Sequence, residues 1–218
     1  MRVVIAGGHG QIAQQLEKVL DDRGHQPVGI VRNPDHTADL ERLGAEAVVL
    51  DLEQAGVDEL AAVVAGADAV VFAAGGGPDS GIARKETVDK GAAILLAQAA
   101  EQAGVRRYVM LSSMGTDRVE VGAEPDPDDV FAVYLRAKRA ADDDLKARDL
   151  DWTVVHPGRL TDEDATGRVE VGRLSRGDVT RADVALVLAE VLTTPGTVGK
   201  DFDLVGGSTS VPVALASL

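Results

Sequence analysis

The 218-residue chain contains no cysteine, so neither a disulfide nor a thiolate nucleophile can carry its stability or its chemistry. Aromatic residues make up only 3%, two of them tyrosines, so the place of each tyrosine is informative. Basic residues are outnumbered, 22 Lys and Arg against 36 Asp and Glu, for a formal net charge of −14. Such an acid excess argues against nucleic acid and against anionic membrane surfaces as partners, because both repel it. Its simplest use is solubility. No apolar run reaches the length of a membrane span. No internal repeat or low-complexity linker divides the chain. The four histidines lack metal-ligand spacing, and no metal is expected. The chain enters an apolar run at once, without a basic-then-apolar leader, which leads us to expect a soluble, cytoplasmic protein. A hydrophobic content of 45% fits one globular domain with a full core.

What is present is organised around the first fifteen residues. Arg2–Ala6 (RVVIA) reads as a buried strand, Gly7-Gly8-His9-Gly10 follows, and the residues from Gln11 to Leu20 have helical spacing. Strand, glycine turn and helix together make a dinucleotide-binding pattern. Two registers fit: Gly8-x-Gly10-x-x-Ala13, and the wider Gly7-x-x-Gly10-x-x-Ala13. In both, glycines let the backbone approach a pyrophosphate, and the helix start at Gln11 and Ile12 offers free N–H groups and a positive dipole end. His9 would flank the pyrophosphate. A purely structural turn is the alternative.

Apolar runs then alternate with helical patterns. Strands are expected at 26–32, 47–50, 68–74, 107–112, 152–156 and 201–205. Helices are expected at 37–43, 57–64, 86–103, 128–148 and 180–192. Repeated βα units with continuous apolar strands predict an α/β fold: a single Rossmann-type, doubly wound parallel sheet with helices on both faces. Ligands bind such sheets beyond the C-terminal strand ends. At the end of the second strand, where an acidic residue would bind the ribose hydroxyls of NAD, stand Arg32 and Asn33. A guanidinium can grip a 2′-phosphate, so NADP is expected in preference to NAD. Asp51 and Leu52 end the third strand and could meet the adenine edge, or Asp51 could cap a helix. Ala73, Ala74 and Gly75 would let the cofactor pass over the fourth strand.

With these residues in place, the chain resembles the atypical short-chain dehydrogenase/reductases. More narrowly it is similar to the NAD(P)H-binding proteins that include epimerase-like and biliverdin/flavin reductase-like members. The resemblance spans nearly the whole chain and rests on VVIAGGHGQIA, GIVRNP, VVLDLE, VVFAAG, VDKGAAILLAQAA, YVMLSSMG, YLRAKRAAD, WTVVHPGRLTD and TRADVALVLAEVL in that order. It implies a Rossmann fold with NADP along the strand ends, but not one reaction.

The resemblance also implies a catalytic set. Tyr134 and Lys138 form Tyr-x-x-x-Lys on a predicted helix, and residues four apart share a helical face. Tyr134 would exchange a proton with the substrate oxygen. Lys138 would favour loss of that proton and hold the nicotinamide ribose. Ser113, rather than Ser112, would hydrogen-bond the substrate oxygen. Asp89 stands where typical members carry an asparagine and could pair with Lys138. Pro157, Gly158 and Arg159 would bring backbone to the nicotinamide carboxamide, whereas His156 is read as a packed residue. The expected cap on the substrate side comes from 115–130 and 157–180. Within it the acidic segment 119–130 is either a lid or a disordered loop. The reading is an NADP-dependent reductase of a small carbonyl, quinone or flavin, as a monomer or homodimer. A non-catalytic NADP(H)-binding redox sensor and an NAD(P)-dependent epimerase are the alternatives.

Overall fold

Alternate side chains leave opposite faces of a strand, and in β1 (Arg2–Ala6) both faces are buried. Val3 and Ile5 join one apolar cluster, Val4 and Ala6 another, so the strand needs helices on either side. In the computed structural model, which describes residues 1–77, 81–119 and 129–218, the helices divide accordingly. α1 (Gln11–Asp22), α7 (Arg181–Thr193) and α8 (Val211–Ala216) cover the first cluster. α3 (Val57–Val64), α5 (Ala93–Ala103) and α6 (Val130–Lys146) cover the second.

Among the described residues the sheet has nine strands. Seven run parallel in the order β3 (Glu46–Val49), β2 (Gln26–Val31), β1, β4 (Ala69–Phe72), β5 (Arg107–Leu111), β6 (Asp151–Pro157) and β10 (Lys200–Gly206). The α/β fold is thus the one the apolar runs predict. The strand order reverses between β1 and β4, and in open α/β sheets the crevice at such a reversal is where ligands sit.

Beyond β10 the structure adds what the sequence reading left out. β8 (Arg168–Gly172) pairs antiparallel with β10, and β11 (Thr209–Ser210) antiparallel with β8. β7 (Arg159–Thr161) and β9 (Asp178–Thr180) form a separate parallel pair. These strands are two to five residues long and partly exposed, too short for alternation to register. α2 (Thr37–Arg42) begins after a 3₁₀ turn at Pro34–His36. The helix expected from residue 86 starts earlier, with α4 (Gly81–Arg84), and is wound as a π-helix over Lys85–Ala92 before it continues as α5. Asp129 caps α6 by accepting the Ala132 N–H at 2.9 Å. Most of the acidic segment expected at 119–130 lies outside the described residues.

Candidate functional site

The site begins at the turn between β1 and α1. Gly7 has φ +84°, and a Cβ there would lie 2.6 Å from the Ala74 Cα, so both backbone conformation and space require glycine. The Gly10 N–H donates to the Gly7 carbonyl at 2.8 Å and closes the turn. Gly10 is the N-cap of α1, with no side-chain cap and no acidic residue in the first turn. The amides that start the helix are therefore left for an anion, where the dipole favours one. Gly8 turns the other way. Its N–H donates to the Ile30 carbonyl at 2.9 Å, and it backs onto Gly29 and Glu17. The glycines that shape the turn are thus those of the wider register.

One side of this turn opens into a cleft of about 290 Å³ over the ends of β2, β3 and β4. Gly7, His9, Gly10, Arg32, Asn33, Asp51, Leu52, Ala73, Ala74 and Gly75 all line it. The Asn33 side chain accepts the Asp35 N–H, and Asp51 accepts the Glu53 N–H, each at 3.0 Å, so both also hold turns. The His9 ring stacks on His36 with centroids 3.5 Å apart, and its Nε2 lies 2.8 Å from the Asp39 carboxylate. Sequence reasoning missed Glu53 and Arg84. Glu53 Oε2 is 3.1 Å from both the Arg32 and the Arg84 guanidinium, and Thr87 donates to its Oε1 at 2.6 Å. The Thr87 hydrogen bond first, and then the two arginines, hold the Glu53 carboxyl below its ordinary range against the cost of desolvation. Glu53 stands two residues past Asp51, but only the tertiary fold brings Arg84 to it.

The other side opens into a cleft of about 580 Å³ that shares Gly10, Ala73, Ala74 and Gly75 with the first and adds Gln11 and Ile12. Here the fold brings together Tyr134, Lys138, Asp89, Ser112 and Pro157. Lys138 is buried and donates to the Leu111 carbonyl at 3.1 Å, with its Nζ 3.6 Å from Asp89 Oδ1. Asp89 Oδ2 accepts the Gly76 N–H at 3.0 Å. A second buried lysine, Lys85, was not anticipated. It donates to the Gly77 carbonyl at 2.6 Å, and its Nζ lies 5.5 Å from the centre of the Tyr134 ring. The π-helical winding, whose i→i+5 bonds widen the turn, places Lys85 and Asp89 on one buried face. The other tyrosine, Tyr108, is fully buried and donates to the Ala93 carbonyl at 3.0 Å. Burial pushes its hydroxyl well above the ordinary range, so it is a core residue.

Ser113, Gly158 and Arg159 stand apart from these groups. They line a third cleft of about 730 Å³ that joins the Tyr134 cleft at Phe131 and Pro157. The Ser113 hydroxyl makes a long contact, 3.4 Å, to the Met114 carbonyl. Ser112, in the Tyr134 cleft, donates to the buried Asp142 carboxylate at 2.8 Å. Burial raises the Asp142 carboxyl above its ordinary range. Arg159 is exposed and pairs with Asp178. His156 is buried near the end of β6, with its Nδ1 3.2 Å from Thr116 Oγ1 and 3.1 Å from the Ser113 carbonyl. Among the described residues no three His, Asp or Glu side chains converge as metal ligands, and no helix is long and apolar enough to cross a membrane.

The chain was compared with known proteins. It is 36% identical over 220 residues to an uncharacterised sugar epimerase, YhfK, of Bacillus subtilis strain 168, covering 100% of each chain. A solved structure described as a candidate NAD-dependent epimerase/dehydratase from Bacillus halodurans superposes with a TM-score of 0.91 at 39% identity, over 100% of each chain. The oxidoreductase ylbE from Lactococcus lactis gives a TM-score of 0.86 at 29% identity, over 100% of this chain and 96% of that one. The model of the family described as NAD(P)H-binding matches residues 7–195, in agreement with the resemblance read from the motifs. The chain belongs to this NAD(P)H-binding family.

Proposed function

We propose that the protein is an NADP-dependent oxidoreductase acting on a small carbonyl, quinone or flavin substrate, with Tyr134 as its acid/base group. The observation that carries this reading is the meeting of Tyr134, Lys138 and Asp89 in a cleft continuous with the glycine turn. The residues present fit a dinucleotide. A Cβ at Gly7 would close the passage by Ala74, and the start of α1 carries no cap of its own. The pyrophosphate would lie on Gly7–Gly10 and the amides at Gln11 and Ile12, between Ala73–Gly75 and His9. The adenosine end would lie against Leu52, Asp51, Asn33 and Arg32. Arg32 and Arg84 are the groups for a 2′-phosphate, which would share them with Glu53. Pro157, with Gly158 and Arg159 beyond it, would border the nicotinamide end.

When bound, the nicotinamide supplies or accepts the hydride. The chain's own residues handle the proton and the geometry. Tyr134 donates its hydroxyl proton to the substrate oxygen as negative charge develops there, and takes one in the reverse direction. Lys138, fixed by the Leu111 carbonyl, places a positive charge in the wall of the cleft and is held by Asp89. Ser113 hydrogen-bonds the substrate from the third cleft. Residues 115–130, of which 120–128 lie outside the described residues, and 157–180 would form the substrate-side cap of what is one domain, acting as a monomer or homodimer in the cytoplasm.

A second reading is an NAD(P)-dependent epimerase, favoured by the similarity to Bacillus relatives described as epimerases. NADPH oxidation over a panel of aldehydes, quinones and flavins separates the two. A reductase consumes NADPH with one of these classes, and Tyr134→Phe lowers kcat by about 100-fold or more without weakening NADPH binding. An epimerase shows no net NADPH consumption. Turnover unaffected by Tyr134→Phe would remove Tyr134 from the chemistry.

A further inference from the structure

Most of the third cleft extends past the nicotinamide end of a dinucleotide. At about 730 Å³ it shares no lining residue with the adenosine cleft and meets the Tyr134 cleft only at Phe131 and Pro157. Its walls include Met114, Leu135 and the close backbone pass of Gly158 over Gly177, where a Cβ on Gly158 would lie 2.1 Å from the Gly177 oxygen. This gives an apolar floor. Its charged lining is Arg118, Arg159 and Arg176 against a single acid, Asp178.

That balance runs against the rest of the molecule, where 36 acidic residues face 22 basic ones. Most arginines of the described chain are spent on carboxylates, as Arg23 is on Glu190 and Arg106 on Asp149. Arg159 is likewise committed to Asp178. Arg118 and Arg176 are exposed at the cleft and have no ion-pair partner among the described residues. A guanidinium left unpaired beside an apolar floor fits a ligand that is apolar in its body and anionic at one end, since arginine holds carboxylates in a two-point fork.

We propose that this cleft takes the carboxylate-bearing end of an apolar substrate, gripped by Arg118 and Arg176, while the reacting end lies against Tyr134. The proposal rests on the oxidoreductase reading of the Tyr134 cleft and narrows its substrate to an apolar acid. It also explains how Ser113 and Tyr134, which line different clefts, can touch one molecule: the substrate spans both past Pro157.

The test is calorimetric binding of 2-naphthoate and of its neutral analogue 2-naphthamide to the protein saturated with NADPH. The unsubstituted protein is compared with the double variant Arg118→Gln, Arg176→Gln and with Arg106→Gln, which removes like charge at the far end of β5. The acid should bind roughly tenfold more tightly than the amide. That preference should vanish in the double variant and persist in Arg106→Gln. Equal binding of acid and amide, no binding of either, or a preference that survives the double substitution would overturn the proposal. NADPH affinity measured on the same samples keeps the two readings apart. Absence of an acid preference in the unsubstituted protein with NADPH binding intact refutes only the substrate class, whereas absence of NADPH binding refutes the oxidoreductase reading itself.

Discussion

Glu17 is wholly buried behind the glycine turn, and neither of its carboxyl oxygens has a hydrogen-bond partner among the described residues. A Cβ on Gly29 would come within 2.4 Å of its Oε1, so a glycine in β2 makes room for it. Burial pushes its carboxyl from 4.5 up to about 8. The folded chain therefore keeps a proton here that the unfolded chain releases between those two values. Stability falls as pH rises through that window, by up to about 1.4 kcal/mol per pH unit from this group. Glu17→Gln should flatten the decline. Urea midpoints at pH 5.5 and 7.5 should differ less in the variant than in the parent, and an equal difference in the two proteins would contradict the assignment. The anomaly has a trace in the sequence, since Glu17 lies four residues past Ala13 on the face that also carries Ile12, Leu16 and Leu20. The residues that could be picked from sequence were those with a rigid local spacing, Gly7 with Gly10 and Tyr134 with Lys138. Glu53, Arg84, Lys85, Arg118 and Arg176 could not, because their meaning comes from partners or walls that the fold brings from far along the chain.

Elements with a strong period were legible for the same local reason. The apolar runs of β1, β2, β4 and β5 and the amphipathic helices stand close to where the pattern puts them. The C-terminal third was harder, because β7, β8, β9 and β11 are held by partners rather than by propensity. Asp183 shows how. It is buried at the start of α7, where Thr180 Oγ1 accepts the Asp183 N–H at 2.9 Å in a reciprocal cap. The Asp183 carboxylate reaches across to accept the N–H groups of Thr166 at 3.0 Å and Gly167 at 2.8 Å, tying the approach to β8 onto the helix. Asp183→Ala leaves these donors unpaired and should cost about 2 kcal/mol in denaturant unfolding. A loss within about 0.5 kcal/mol would show that the tie carries no weight. The π-helical winding of Lys85–Ala92 had no local signature either.

At the scale of the molecule, one sheet with a strand-order reversal gathers the loops after β1, β2, β3, β4, β5 and β6 at a single edge. The alternation of βα units foretold that edge, and hence the place of the clefts, before any side chain was assigned. The same geometry explains how a chain of net charge −14 presents lysines and arginines to its ligands. Lys85, Lys138, Arg32, Arg84, Arg118 and Arg176 are collected at the strand ends, where they line the three clefts. The antiparallel extension by β8 and β11 could not be read from this logic, since it completes the far edge of the sheet and touches none of the adenosine or Tyr134 cleft.

The central claim is that a phosphorylated dinucleotide lies along this edge with its adenosine end at Arg32. Fluorescence titration of the protein with NADPH and with NADH, beside Arg32→Ala, tests it most directly. Saturable binding with NADPH preferred is expected, and the preference should fall roughly tenfold in Arg32→Ala while NADH binding is little changed. Binding of neither nucleotide would contradict the claim, and the glycine turn would then be a structural βα connection only.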